Sequence, residues 1–188
     1  MRTIIIGLLA LFIALPIGQS AQLPSSEEAS REYFTDLVLL TQNGEEVRFF
    51  TDVLKDHVVL VSFIFTNCES ACPLITEKMS AARDMLGEEF GGNLRLISIS
   101  IDPERDTPQA MKEFAAHHQA DGNWMFLTGA RENIDQVVKK LGQYSADVEA
   151  HSTVLIVGNV NQSHWMKIPP MAGPGGVAQS LRALIEPI

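Results

Sequence analysis

The 188-residue sequence has only two cysteines, Cys68 and Cys72, too few for a disulfide framework or a four-thiolate metal cage. Their C-x3-C spacing also misses that of the common zinc ribbons and knuckles, and a structural zinc takes four protein ligands. Basic residues are scarce as well: 14 Lys and Arg stand against 23 Asp and Glu, for a net charge of −9. Such a surface repels phosphate backbones and anionic membrane faces, which argues against nucleic acid as a partner. No apolar run reaches the roughly 20 residues that span a bilayer. No internal repeat and no second domain are visible.

The longest apolar run, Ile4 to Ile17, follows the single basic residue Arg2 and leads into small residues at Gly18 and Ser20. That is a secretory signal pattern over residues 1–20, with cleavage expected after Ser20; left uncut, the segment would tether the chain. Residues 21–32 are polar and aperiodic and read as a flexible leader. The remainder, 33–188, has the length of one domain able to bury a good core.

Asn43-Gly44 between two apolar stretches predicts an N-terminal β-hairpin, with strands near 36–41 and 46–50. HVVLVSFIF, residues 57–65, lacks alternation and reads as a central strand covered on both faces. It runs into the cysteines and then, past Pro73, into a helix whose expected core positions are Leu74, Ile75, Met79, Ala82, Met85 and Leu86. LRLISISI (94–101) reads as a strand, Thr107-Pro108 as a helix start, WMFL as a short strand, and Ile134 to Leu141 as a third helix. His151 to Val157 and Ser163 to Lys167 predict a second hairpin, and Val177 to Ile185 a terminal helix. Strands alternating with helices make this an α/β chain, a three-layer sandwich on a mixed central sheet.

Cys68 and Cys72 carry the chemistry. A disulfide across so short a loop removes little unfolded-state entropy, so a structural staple is a poor explanation for the pair. At i and i+4 a helical turn puts both sulfurs on one face, within reach of a disulfide or a shared metal. A helix N-terminus beside them favours the thiolate, the form that attacks disulfides and binds soft metals. Copper takes imidazole as well as thiolate. Of the five histidines, His57, His117 and His118 read as surface residues. His151 opens a predicted strand and is open to either a ligand or a structural role, and His164 with Met166 and Met171 forms a softer set.

In order along the chain, TNCESACP, ISISIDPERDTP, WMFLTG and HSTVLIV resemble the Sco/SenC copper-chaperone family of the thioredoxin-like superfamily, from the Asn43-Gly44 hairpin to the last helix. The resemblance implies a thioredoxin-like fold that binds Cu(I) or Cu(II) through Cys68, Cys72 and His151. It implies delivery to the binuclear copper site of cytochrome c oxidase or a similar cuproprotein, and a place in the bacterial periplasm, free or tethered to the inner membrane. The implied partners are the acceptor's copper subunit, thioredoxin-like reductants and other copper chaperones. The segment Asp102, Pro103, Asp106, Thr107, Pro108 is expected to shape a loop and start a helix, with Asp102 as a lesser metal candidate. Glu69-Ser70-Ala71 stands where the family commonly has Pro-Asp and an aliphatic residue, which loosens the loop, and Glu69 opposes a thiolate while favouring a bound cation. Two other functions fit the same thiols, a thiol-disulfide oxidoreductase with Cys68 and Cys72 as its redox pair and a peroxide-consuming thiol protein.

Overall fold

The computed structural model describes residues 25–87, 93–120 and 122–184. The expected signal segment, 1–20, and the first part of the leader lie outside the described residues. From Ser26 onward the leader expected up to residue 32 is helical, forming α1 (Ser26–Phe34). A capping box causes this: Ser25 Oγ accepts the Glu28 N–H at 3.2 Å, and Glu28 Oε2 accepts the Ser25 N–H at 2.8 Å. The helix then docks by burying Phe34, whose ring lies 4.6 Å from that of Trp165.

The strands are β1 (Val38–Thr41), β2 (Glu46–Arg48), β3 (Val58–Ile64), β4 (Leu94–Ser100), β5 (Trp124–Thr128), β6 (Leu155–Asn159) and β7 (His164–Ile168). They form one mixed sheet in the order β2-β1-β5-β4-β3-β6-β7. The central β3, β4 and β5 are parallel, while β1 and β6 join them antiparallel. The first hairpin turns at Gly44, where φ is +80° and glycine meets no steric penalty. β2 stops at Arg48, short of the expected residue 50. Phe49 and Phe50 are consecutive and cannot share one face of a strand, so the chain turns into a π-helical segment, Phe49–Leu54, that buries both.

All of β3 is buried, as a central strand requires, and its side chains divide by parity. Val58, Leu60 and Ile64 face one layer with α2 (Ala71–Leu86), α3 (Pro108–His117) and α5 (Pro174–Arg182). Val59, Val61 and Phe63 face the other, with α1, the π-helical segment and α4 (Arg131–Lys140). On α2 the buried stripe is Cys72, Ile75, Thr76, Met79, Ala82 and Leu86. Leu74 and Met85, expected in that core, are 65% and 53% exposed. They lie eleven residues apart, about three helical turns, and so share the outer face.

Candidate metal and thiol site

β3 delivers the chain to the cysteines at its carboxyl end, where the Cys68 N–H donates to the Phe65 carbonyl at 3.1 Å. α2 then starts without a side-chain cap from Ser70. The sulfur of Cys68 takes that role: the Cys72 N–H donates to it at 3.3 Å. Both thiols are free and buried, Cys72 completely.

Their acidities diverge. Burial pushes the Cys68 thiol up, yet hydrogen bonds from the Cys72 thiol and from the N–H groups of Cys72, Ser70 and Ala71 outweigh it, and the net shift is downward. Cys72 is pushed up to about 12 by burial, by its hydrogen bond to Cys68, and by the charges of Cys68 and Asp106. One cysteine is therefore poised as the thiolate and its neighbour held as the thiol. Glu69, expected to oppose the thiolate, is exposed, and the N–H groups at the start of α2 lower the Cys68 thiol.

His151 does not open a strand. β6 begins four residues later, at Leu155, because its ladder with β7 starts at the Leu155–Ile168 pair. The imidazole is held by a turn instead. Its Nδ1–H donates to the Val148 carbonyl at 2.8 Å, and its ring meets Phe65 edge-on at 5.4 Å. Since a carbonyl can only accept, the neutral ring carries its proton on Nδ1 and presents the Nε2 lone pair as an acceptor. That Nε2 lies 4.0 Å from the Cys72 sulfur. Topology explains the meeting: β6 runs antiparallel to β3 with Val61 opposite Ile156, so the chain before β6 arrives at the strand end that carries the cysteines.

The DPERDTP segment does more than start a helix. Thr107 caps α3 as expected, its Oγ1 accepting the Ala110 N–H at 3.2 Å. Asp106, 1% exposed, clasps the cysteine loop to the end of β4. Its carboxylate accepts from the Thr66 N–H at 3.0 Å, the Thr66 hydroxyl at 2.6 Å and the Ser100 hydroxyl at 2.6 Å. Local spacing carries no signal for this role, because Thr66 lies forty residues earlier in the chain. Asp102 itself is engaged by Arg105 and by Arg131, the latter at 3.4 Å.

Of the remaining histidines, His57 donates to the Lys55 carbonyl, and His164 sits at the start of β7. Met166 packs against the core and Met171 is 95% exposed, so that softer set is not assembled. His117 and His118 lie at the end of α3, on the wall of a cleft that also reaches Cys68.

Among the described residues no three His, Cys, Asp or Glu side chains already form a metal cage. The donor set nonetheless fits a soft ion. Metal–sulfur and metal–nitrogen bonds of about 2.3 and about 2.0 Å together exceed the Cys72–His151 separation, so one ion can touch both.

The SCO1/SenC family model matches residues 25–186. The SCO1 protein homolog of Bacillus subtilis is 40% identical over 124 residues, which are 65% of this chain and 60% of that relative's length. A solved structure of BsSco, described as a member of the Sco family of cytochrome c oxidase assembly proteins with a disulfide switch, is 28% identical. It superposes with a TM-score of 0.67 over 80% of this chain and 92% of its own. Arabidopsis thaliana ScoI with copper bound shares the fold at a TM-score of 0.68 and 24% identity, covering 79% of this chain and 95% of that one. The fold is thioredoxin-like, as expected.

Proposed function

From the premise that this chain belongs to the SCO1/SenC family, we propose that it is a copper metallochaperone, with Cys68, Cys72 and His151 as the ligands of its cargo. The observation that carries this reading is the unprotonated Nε2 of His151 facing the Cys72 sulfur at 4.0 Å. Copper is the substrate here, a soft ion that two thiolates and an imidazole suit. Cys68 offers the first contact, being the cysteine already biased toward thiolate. Cys72 releases its proton when a cation replaces that proton as the partner of its sulfur. Phe65 and the Val148 carbonyl keep the imidazole oriented while this happens.

The acceptor in this reading is the binuclear copper site of cytochrome c oxidase or a similar cuproprotein, reached in the bacterial periplasm by a free or membrane-tethered chain. Thioredoxin-like reductants and other copper chaperones would return the cysteines to the reduced state and supply the metal. Anaerobic titration with Cu(I) tests the ligand set: the reduced protein should take up one tight equivalent. Cys68→Ala, Cys72→Ala and His151→Ala should each weaken it about 100-fold or more, beyond the 10–100-fold typical of an outer-shell partner. A His151→Ala protein that binds both Cu(I) and Cu(II) like wild type would sink the assignment.

The split acidity of the thiols favours a second reading, a thiol-disulfide oxidoreductase. The Cys68 thiolate attacks one sulfur of a partner disulfide and expels the partner's other sulfur as a thiolate. Cys72, deprotonated, then attacks Cys68 and releases the second partner sulfur. Two electrons pass to the partner and a Cys68–Cys72 disulfide remains. This reading needs no His151, so metal uptake by the reduced protein separates the two.

A further inference from the structure

A second site lies away from the cysteines. On the layer that holds α1 and α4, a cleft of about 620 Å³ opens between α1, the end of α4 and the β6–β7 hairpin. Its walls are Tyr33, Phe34, Leu141, Ile156, Trp165 and Met166. Its volume falls within the roughly 300–1,000 Å³ of small-molecule sites. The wall is fixed in advance: Trp165 packs on Phe34 and covers Gly158, where any Cβ would overlap the indole.

Among the described residues, the only charged ones lining it are Lys140 and Lys167. Among the described residues neither has a carboxylate partner. Lys167 Nζ donates to the Gly142 carbonyl at 3.2 Å, and Lys140 Nζ stands 5.4 Å from the Tyr33 ring. On a chain with a net charge of −9, two cations without carboxylates at the mouth of an apolar cleft define a specific complement. That complement is a long apolar chain with one anionic head. A peptide would bring a row of backbone amides, for which the uncharged lining offers only the hydroxyls of Ser26, Ser30, Tyr33 and Ser163 among the described residues, whereas an acyl chain brings none.

We propose that this cleft binds one free long-chain fatty acid, its acyl chain against Phe34, Ile156 and Trp165 and its carboxylate between Lys140 and Lys167. The position of Trp165 makes the test direct. Trp124, the other tryptophan, is 2% exposed and packs in the opposite core. Titrating the purified full chain with dibromostearate should quench part of the tryptophan emission saturably, one molecule per chain, and Trp165→Phe should abolish that component.

Lys140→Glu with Lys167→Glu should weaken binding about tenfold or more, because the head then meets two like charges. These are exposed positions, and an unchanged circular dichroism spectrum checks the fold. Laurate, six methylenes shorter than stearate, should compete at least about 100-fold less well, since each buried methylene contributes roughly fourfold. Competition by methyl stearate equal to that of stearate overturns the proposal, because the cations then do nothing. Quenching seen only with vesicles of brominated phosphatidylglycerol overturns it too, pointing to a membrane surface. So does a Trp165 that no fatty acid reaches because residues 4–17 or a second copy of the chain already cover it.

Discussion

The backbone N–H of Cys72 donates to the sulfur of Cys68 at 3.3 Å, so one cysteine caps the helix that contains the other. The contact stabilises charge on Cys68 and, through that charge and a thiol hydrogen bond, disfavours it on Cys72. The pair is asymmetric before any metal or partner arrives.

Alkylation should report that asymmetry. In the reduced protein at mildly alkaline pH, iodoacetamide should modify Cys68 well before Cys72, whose thiol is held up by burial and by its neighbour. Cys68→Ser removes a neighbouring thiolate, so Cys72 should then react at lower pH. Equal rates for the two thiols in the folded protein at pH 8, read by peptide mass spectrometry, would contradict the geometry.

Asp106→Asn should loosen the cysteine loop. The carboxylate accepts three hydrogen bonds while 1% exposed, and bonds to a charged group contribute about 1.5–3 kcal/mol each. The amide keeps part of this, so we expect a loss of about 2–4 kcal/mol in urea unfolding. Removing the negative charge should also shift Cys72 downward, which a merely structural role would not require.

Acid should weaken the start of the π-helical segment. Hydrogen bonds from the Arg48 guanidinium and backbone lower Asp52 to about 2, against an ordinary value of 3.8. A carboxyl lowered on folding stabilises the fold above the unfolded value, and that contribution disappears as pH falls from about 4 to about 2. Asp52→Asn should flatten the dependence of the thermal midpoint on pH across this window. An unaltered slope would show that the pair with Arg48 contributes nothing.

Ser25→Ala should fray α1. Loss of an N-cap serine costs about 1 kcal/mol, and here Glu28 also loses the Ser25 hydroxyl while keeping the Ser25 N–H. Amide exchange should quicken at the first turn of α1 while β3 stays protected. Uniform destabilisation of the whole domain would show that α1 folds only as part of the core.

Local chemistry was legible in the sequence by itself. Asn43-Gly44 specifies a tight turn because glycine tolerates φ of +80°, and Thr107-Pro108 starts α3 because each residue suits its position at a helix N-terminus. The run from Val58 to Ile64 can only be buried on both faces, which identifies the central strand. The i, i+4 cysteines ahead of a helix announce a reactive or chelating pair. Each of these is decided within a few residues, where backbone sterics and hydrogen bonding act.

Tertiary structure decided what those residues meet. Phe49 and Phe50 leave β2 because both belong to one buried layer, which consecutive strand residues cannot share, and Leu74 and Met85 turn outward because Met79, Ala82 and Leu86 already fill the seam on α2. Asp106 reaches Thr66, forty residues earlier, only once β3 and β4 pair in parallel. His151 reaches Cys72, 79 residues earlier, only because β6 runs antiparallel to β3. Spacing along the chain carries no information about such contacts, since they depend on the order and direction of strands in the sheet, and those are selected by burying both of its faces at once.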